Sequence, residues 1–396
     1  MTREPQNPPV IVLSTADFKA PVWTNKQHIA SRLAQDRDVY YVNSMGLRTP
    51  NLNSADARRI AAGLSTRIKH ATRRFTPRSR EDHTCEPGSP RQIDPQVIPV
   101  HTSSVIRRTN RALLRNQLRR IVPDIESAIL WTFSPLTYGI EDLAHRTIYH
   151  SVDLLHKLHG VPSDLILAKE SQLVAKVDAI VASSVGVRDH LQNTQRARSV
   201  RLWENVADFD GISSVTAVER RPKAIFAGNL TPQKVDFVLL QNLADSGVEL
   251  AIAGPRDVDG TKGGTQVDAL LRHRNVHYLG NLGPAALANA LNSATVGLIP
   301  YVSNGYTNGV FPMKVYEYLA AGLAVVATPL PSLANISSSV EIADRAGFLE
   351  SVKNNIQIPH SDVIASRQRT ASANSWSSRM RQIESLIGDL TCATRP

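Results

Sequence analysis

A chain of 396 residues fits two domains of ordinary size better than one, and with 42% hydrophobic and 20% charged residues it is not a chain disordered throughout. Two cysteines, Cys85 and Cys392, exclude a disulfide framework and a cysteine-rich zinc site and suit a reducing compartment. The formal charge of +10 is unevenly placed: residues 48–120 hold 16 Lys and Arg against five Asp and Glu, so that stretch is +11 and the rest sums to −1.

Such a basic stretch attracts phosphates, whether of nucleic acid, anionic lipid headgroups or a phosphorylated substrate. No apolar run approaches the roughly 18 residues that span a bilayer. Val10-Ile-Val-Leu13 is too short for a signal-peptide core, so a cytoplasmic protein is expected.

Short apolar runs alternate with amphipathic stretches, the pattern of βαβ units around a parallel sheet. In the first half, strands are predicted over 10–14, 39–43, 96–100, 128–132, 147–150, 179–183 and 200–202. Helices are predicted over 25–35, 104–121, 162–176 and 185–192. Between 50 and 94, Arg, Ser and Pro dominate and apolar periodicity fades after Ile68; that stretch reads as part helix and part long loop. The pattern pauses at Asn205-Val-Ala-Asp208, and 212–221 reads as a linker.

A second series follows, with strands over 224–227, 249–254, 276–279, 296–300, 323–328 and 340–342. Its helices are predicted over 235–245, 267–272, 284–293 and 314–321, and a last helix over 376–390. The fold class is α/β. Two doubly wound Rossmann-like domains, 1–210 and 211–375, are expected to face each other across a cleft, and 376–396 to return to the first.

Two segments suit a phosphate-bearing ligand. In Ala224-Ile-Phe-Ala-Gly228-Asn229 a buried strand runs into Gly-Asn, and Lys234 follows. Doubly wound domains bind ligands at the carboxyl ends of strands, where glycine admits a close approach and a lysine meets phosphate. An ordinary strand–turn–helix with a surface lysine would read the same way.

The second segment starts at Tyr301. A loop rich in Gly, Asn and Ser leads to Phe311-Pro312-Met313-Lys314. Proline suits a first helical turn, the free N–H groups and dipole there favour an anion, and Lys314 adds a full charge. Glu317 lies one turn on, on the same face, where a carboxylate accepts hydrogen bonds from ribose hydroxyls. Gly322 ends the helix before an apolar strand. A capped amphipathic helix with one Lys–Glu pair is the plainer alternative.

Residues 311–328 resemble the donor-site signature of GT-B glycosyltransferases. The wording is most similar to bacterial exopolysaccharide transferases typified by the membrane-associated glucuronosyltransferase of xanthan assembly. It also resembles the retaining group that includes glycogen synthase-like and teichuronic-acid enzymes. The likeness extends loosely over most of the chain, with 251–255, 276–280, 297–301 and Ser375-Trp376 in familiar order. It implies a GT-B fold and transfer of a sugar from a UDP- or GDP-linked donor. By that likeness Met313, Lys314 and Glu317 contact the nucleotide and diphosphate, and Gly228, Asn229 and Lys234 face the donor from the other loop. Tyr301, Phe311 and Pro312 complete the donor site, 278–282 lies beside the base, and the Trp376 helix braces the N-terminal domain.

One departure bears on mechanism. Many retaining members carry two glutamates eight positions apart, the second where Glu317 stands; here the earlier position is Gly309. Its absence and the Phe-Pro-Met-Lys wording point to the inverting, glucuronosyltransferase-like branch. Ala324 stands where proline is frequent, with a local effect expected.

Inverting transfer needs a base for the acceptor hydroxyl. Thr147-Ile-Tyr-His150-Ser-Val-Asp153 ends a strand of the first domain, and the resemblance puts that branch's base near Asp153. His150 is the alternative base or a sugar-hydroxyl partner; a structural histidine and a helix-capping Asp153 are the plainer roles. In the loop after the first strand, Trp23 can stack on a sugar face, and Asn25 or His28 can bind hydroxyls, Asn25 being equally suited to cap a helix. Arg107, Arg111, Arg115 and Arg119 recur at intervals of four, with Leu113, Leu114, Leu118 and Ile121 turned away, a pattern for an anionic membrane surface or for a solvated helix face.

The expectation is a glycosyltransferase, metal-independent because no acidic pair with metal-ligand spacing lies near the phosphates. No cofactor beyond the nucleotide sugar and no nucleic-acid partner is expected, and the acceptor is a saccharide, lipid-linked or small-molecule hydroxyl. An epimerase of the same fold and an inactive binding protein are the alternatives.

Overall fold

The computed structural model describes residues 7–20, 23–48, 88–158, 160–215, 218–258, 261–262, 264–336 and 339–392. Most of the stretch expected to be helix and loop between 50 and 94 lies outside the described residues. By contacts the chain divides into two units, 1–151 with 155–180, and 152–154 with 181–396.

The first sheet is formed by β1 (Val10–Leu13), β2 (Val39–Val42), β3 (Arg91–Ile93), β4 (Ile129–Thr132), β5 (Arg146–Ser151), β6 (Ala179–Ala182) and β7 (Arg201–Leu202), in the order β3-β2-β1-β4-β5-β6-β7. The ladders β3–β2, β2–β1, β1–β4, β4–β5 and β6–β7 are parallel. Both faces of the central strands are covered, so β1, β2, β4 and β5 are buried at every residue. The helices in this part of the chain are α1 (Asn25–Leu33), α2 (Ser104–Ile121), α3 (Ser163–Val174), α4 (Val185–Asp189) and α5 (Phe209–Ser213).

The second sheet takes β8 (Ala224–Ala227), β9 (Leu250–Ala253), β12 (Val276–Gly280), β13 (Val296–Ile299), β14 (Ala324–Ala327) and β15 (Glu341–Ile342), in the order β12-β9-β8-β13-β14-β15. Every ladder in it is parallel. A hairpin of β10 (Asp257–Val258) and β11 (Thr261–Lys262) interrupts the β9-to-β12 crossover. The helices are α6 (Phe237–Asp245), α7 (Gly264–Leu271), α8 (Pro284–Asn292), α9 (Lys314–Ala320), α10 (Phe348–Asn355), α11 (Ser361–Ala373) and α12 (Trp376–Cys392). Local chemistry sets their starts: Ser103 caps α2, Asp236 caps α6 through two backbone N–H groups, and Pro284 opens α8.

Several expectations need correction. Residues 96–100 are not a strand. Pro95 precedes that segment and Pro99 lies within it; neither can donate to a ladder, and side chains of α2 take the segment's backbone groups instead. Asn110 accepts from the Ile98 N–H at 2.8 Å and donates to its carbonyl at 2.9 Å, while Gln117 accepts from the Gln96 N–H. The third strand is β3, at the edge. The helix expected over 185–192 is a short α4 that passes into a π-turn, His190–Thr194. The start of the expected linker is the end of α5, and α10 and α11 lie where no helix was predicted.

Three of the four arginines of the α2 stripe meet acceptors of the chain itself, and Arg119 is exposed. Arg107 donates to the carbonyls of His101 and Thr102, Arg111 pairs with Asp142 at 3.0 Å, and Arg115 binds the Gly139 carbonyl and lies 3.6 Å from Asp142. Leu113, expected on the buried side, is 40% exposed; Leu114 and Leu118 carry the packing. No described helix is long and apolar enough to cross a membrane.

Candidate active site

The carboxyl ends of β8, β9 and β12 finish in glycine. The Gly228 N–H donates to the Ala253 carbonyl at 2.9 Å, and the Gly254 N–H to the Gly280 carbonyl at 2.8 Å. Gly254 has φ +134°, and a Cβ there would stand 2.0 Å from the Gly228 carbonyl oxygen, so no side chain fits. Three strand ends thereby carry no side chain at the edge where ligands of doubly wound domains bind, with Gly254 buried and Gly228 and Gly280 half-buried. Asn229 is exposed beside them. Tyr278 and Leu279 are partly exposed, and the Tyr278 hydroxyl donates to the Gly254 carbonyl at 2.9 Å.

The loops after β8 and β13 are joined. Val235 and Tyr301 form an antiparallel bridge, the Val302 N–H donates to the Lys234 carbonyl at 3.0 Å, and Asn304 donates to the Gln233 carbonyl at 2.8 Å. The Lys234 ammonium lies 4.7 Å from the centre of the Tyr301 ring. Below the loops, the buried Tyr318 hydroxyl of α9 accepts from the Ala227 N–H at 2.9 Å. Burial pushes that phenol well above its ordinary pKa, so it stays a neutral pin between α9 and β8.

The backbone leading into α9 is held at three successive carbonyls. Ser184 donates to Gly309 at 2.6 Å, Ser332 to Val310 at 2.7 Å and Asn205 to Phe311 at 2.7 Å. The Phe311 ring is buried and stacks on Tyr316 at 5.5 Å. Pro312 is buried and Met313 half-buried. The regular helix begins at Lys314, with Met313 as its cap, and runs only to Ala320. A helix this short has a small dipole, so the charge at its start is chiefly that of Lys314. Lys314 is paired with Glu317 at 2.5 Å, both side chains mostly shielded.

Sequence reading missed the network under α9. The Tyr316 hydroxyl bonds the Glu204 carboxylate, and Arg379 of α12 donates to the Glu204 carbonyl at 2.7 Å while its guanidinium lies 5.2 Å from the Trp203 ring. Burial raises the Glu204 pKa, offset by the Tyr316 hydrogen bond and Arg379; burial also pulls Arg379 down to about 10. The signal was Glu204-Asn205 directly after β7, read only as a pause in the pattern. Helix α12 runs beside this segment: Ala207 and Ser375 bridge in parallel, and Arg201 reaches Asp389 at 3.7 Å.

The remaining candidates are spread more widely. His150 lies within β5, 1% exposed, with its ring against Phe133 at 5.0 Å and Trp131 at 6.2 Å. Asp153 is half-buried in the short segment after β5. Around α1 the cap is Thr24, in a capping box with Gln27, so Asn25 is the first helical residue and is buried. His28 takes a hydrogen bond with Arg32 at 3.0 Å, and burial, with the Arg32 charge, lowers its pKa to about 4, leaving it neutral at pH 7. Trp23 is 38% exposed and leans on Phe18 and His28.

Residues 221–356 match the family described as Glycosyl transferases group 1. Solved structures match nearly the whole chain: sucrose-phosphate synthase from Thermosynechococcus elongatus has a TM-score of 0.67 at 13% identity, covering 98% of this chain and 100% of its own. Anabaena HepE in complex with UDP and glucose has a TM-score of 0.65 at 12% identity, covering 96% and 99%. The fold is GT-B, and the likeness to group 1 glycosyl transferases lies in residues 221–356. A putative teichuronic acid biosynthesis glycosyltransferase, TuaH of Bacillus subtilis, is 26% identical over 215 residues, 51% of this chain. The chain spans about half the length of that curated relative, 52%. The group 1 domain contains the three strand-end glycines, both joined loops, and α9.

Proposed function

We propose that this chain transfers a sugar from a nucleotide diphosphate sugar to the hydroxyl of a saccharide or lipid-linked saccharide, with inversion and without a metal. The observation that carries the reading is the joining of the β8 and β13 loops. The first of these loops carries Lys234 and the second leads to Lys314, in the domain whose strands end in Gly228 and Gly254. The UDP in the HepE structure favours a uridine donor.

In this reading Lys234 and Lys314 meet the diphosphate as charge grows on it, and Glu317 leaves its pair with Lys314 and turns its carboxylate to the ribose. Met313 and Phe311 hold the start of α9 under the nucleotide, and Asn229 and Tyr301 line the near side. The two cations do the neutralising that a divalent ion would otherwise supply. Asp153 takes the proton from the acceptor oxygen as that oxygen attacks the anomeric carbon, and the bond to the diphosphate breaks. His150, enclosed by aromatic rings, supports the sheet rather than the proton transfer. Trp23, the exposed ring beside α1, offers a stacking face to the acceptor, with Asn25 and His28 behind it.

The test is a thermal-shift screen of UDP- and GDP-sugars followed by turnover with and without EDTA. A donor at 100 times its Kd stabilises the fold by about 2.7 kcal/mol. The expected outcome is a rise in melting temperature with a UDP-sugar and turnover that EDTA leaves intact. No shift with any nucleotide sugar overturns the reading, and conversion of the donor without an acceptor would make the protein an epimerase.

A further inference from the structure

Position 309 lies five residues before Lys314, in the turn that opens the donor segment, and it has no side chain. The surroundings show why. A Cβ on Gly309 would stand 2.6 Å from Leu154 Cδ1 and 3.0 Å from Leu154 Cγ. Leu154 is 6% exposed, so its side chain already occupies that space. On the other side, a Cβ on Gly186 would stand 2.9 Å from the Asn308 carbonyl and 3.1 Å from the Gly309 α-carbon. Three segments of the second unit are stacked here without room for more atoms: 152–154, 183–186 and 308–309.

Each segment is also tied to its neighbour. Ser183 donates to the Val152 carbonyl at 2.7 Å. Ser184 accepts from the Val187 N–H at 3.2 Å, capping α4, and donates to the Gly309 carbonyl at 2.6 Å. The loop beneath Leu154 cannot slide, because the carbonyls of residues 309, 310 and 311 are each held by a side chain. Leu154 therefore sits in a seat of fixed position, and Asp153 is the residue before it.

We infer that Leu154 is a positioning residue: by filling the space a side chain at 309 would take, it fixes Asp153 beside the loop that leads to Lys314. The inference rests on the transferase reading above and adds to it. A side chain at 309 would have to displace Leu154, and the residue before Leu154 bears the carboxylate that the transferase reading uses. During transfer the acceptor hydroxyl proton passes to the Asp153 carboxylate. The acceptor oxygen bonds to the anomeric carbon, and the diphosphate leaves with the electrons of the bond that breaks. Leu154 takes no part in that exchange; it sets where the accepting oxygen stands.

The experiment compares wild type with Asp153→Asn, Gly309→Ala, Leu154→Ala, Leu154→Met and the double variant G309A/L154A, using the UDP-sugar from the screen. For each, kcat, donor KM and UDP binding by thermal shift are measured. Gly309 does not use a left-handed backbone conformation, so its alanine variant acts through the Leu154 contact. Expected are a kcat loss of tenfold or more for Gly309→Ala and Leu154→Ala with donor KM and UDP binding within about threefold of wild type. Leu154→Met restores kcat to within threefold. The double variant is no slower than the slower single variant, since a smaller residue at 154 makes room for the methyl group added at 309. A multiplicative loss in the double variant, or UDP binding that falls in step with kcat, overturns the inference. Wild-type kcat in both Gly309→Ala and Leu154→Ala, with Asp153→Asn inactive, overturns the positioning role and leaves the transferase reading standing. Full activity of Asp153→Asn overturns both roles.

Discussion

Helices α2 and α9 both carry cations, and the two use them in opposite ways. On α2 three arginines face carbonyls and carboxylates of the same unit: Arg107 holds the turn at His101 and Thr102, and Arg111 and Arg115 hold Gly139 and Asp142. On α9 one lysine stands at the helix start with a single carboxylate partner, Glu317, three residues on. Charge count in the sequence favours α2. The difference lies in the number of acceptors: Arg107 and Arg115 each meet two, whereas the Lys314 ammonium meets one carboxylate, a partner that a phosphate can replace. A site for phosphate calls for a cation whose acceptor can be exchanged, and on α9 that cation is Lys314.

The comparison breaks most readily at Lys314. Lys314→Ala is expected to lower kcat/KM for the donor by about 10²- to 10³-fold, on the order of 3–4 kcal/mol of transition-state stabilisation. Steady-state kinetics at varied UDP-sugar checks this, and wild-type turnover would remove α9 from the donor site. Tyr318→Phe probes the footing of α9. It leaves the buried Ala227 N–H without its acceptor, so urea unfolding should show a loss of about 1–3 kcal/mol. Arg115→Ala tests the other helix, where a drop of about 1 kcal/mol or less in stability and unchanged kcat are expected. A large loss of turnover there would mean that α2 serves the reaction.

The smallest effect sharpens the contrast through pH. The folded pKa of Glu204 is raised, so the folded state holds its proton over a range where the unfolded chain has released it. Stability from this group is therefore full below about pH 4.5 and falls as pH rises through the raised value. Glu204→Gln should stabilise the protein slightly at pH 7 and leave it level with wild type at pH 4, as measured by melting temperature at the two pH values. The opposite sign would show that the ionised carboxylate supports α9.

Much of this was open to reading in the sequence. Apolar runs such as Ala224–Ala227 are β-strands buried on both faces, and that burial leaves a plain mark in composition. Pro312 and Lys314 marked the start of α9 because proline tolerates only certain positions. The failures have physical causes of their own. Residues 96–100 carry strand-forming side chains, yet two prolines deny them a ladder, and the partners that replace it, Asn110 and Gln117, lie on a helix more than ten residues away. Arginines at regular spacing show which side of a helix they leave from but not what meets them there. The stacking of Leu154 on Gly309 was hidden because the two positions are joined only by the fold; the glycine was read as a missing glutamate, and its occupied surroundings could not be seen.

The contact between Gly254 and the Gly228 carbonyl has a bearing on how this protein can be altered. Because that oxygen fills the space of a methyl group, the floor of the sheet edge is closed to substitution, and variation in ligand preference must enter from above. Asn229 and Tyr278 are accessible positions there, one exposed and the other tethered by a single hydrogen bond. A library that randomises those two and spares the glycines would change what the edge recognises while keeping a chain that folds.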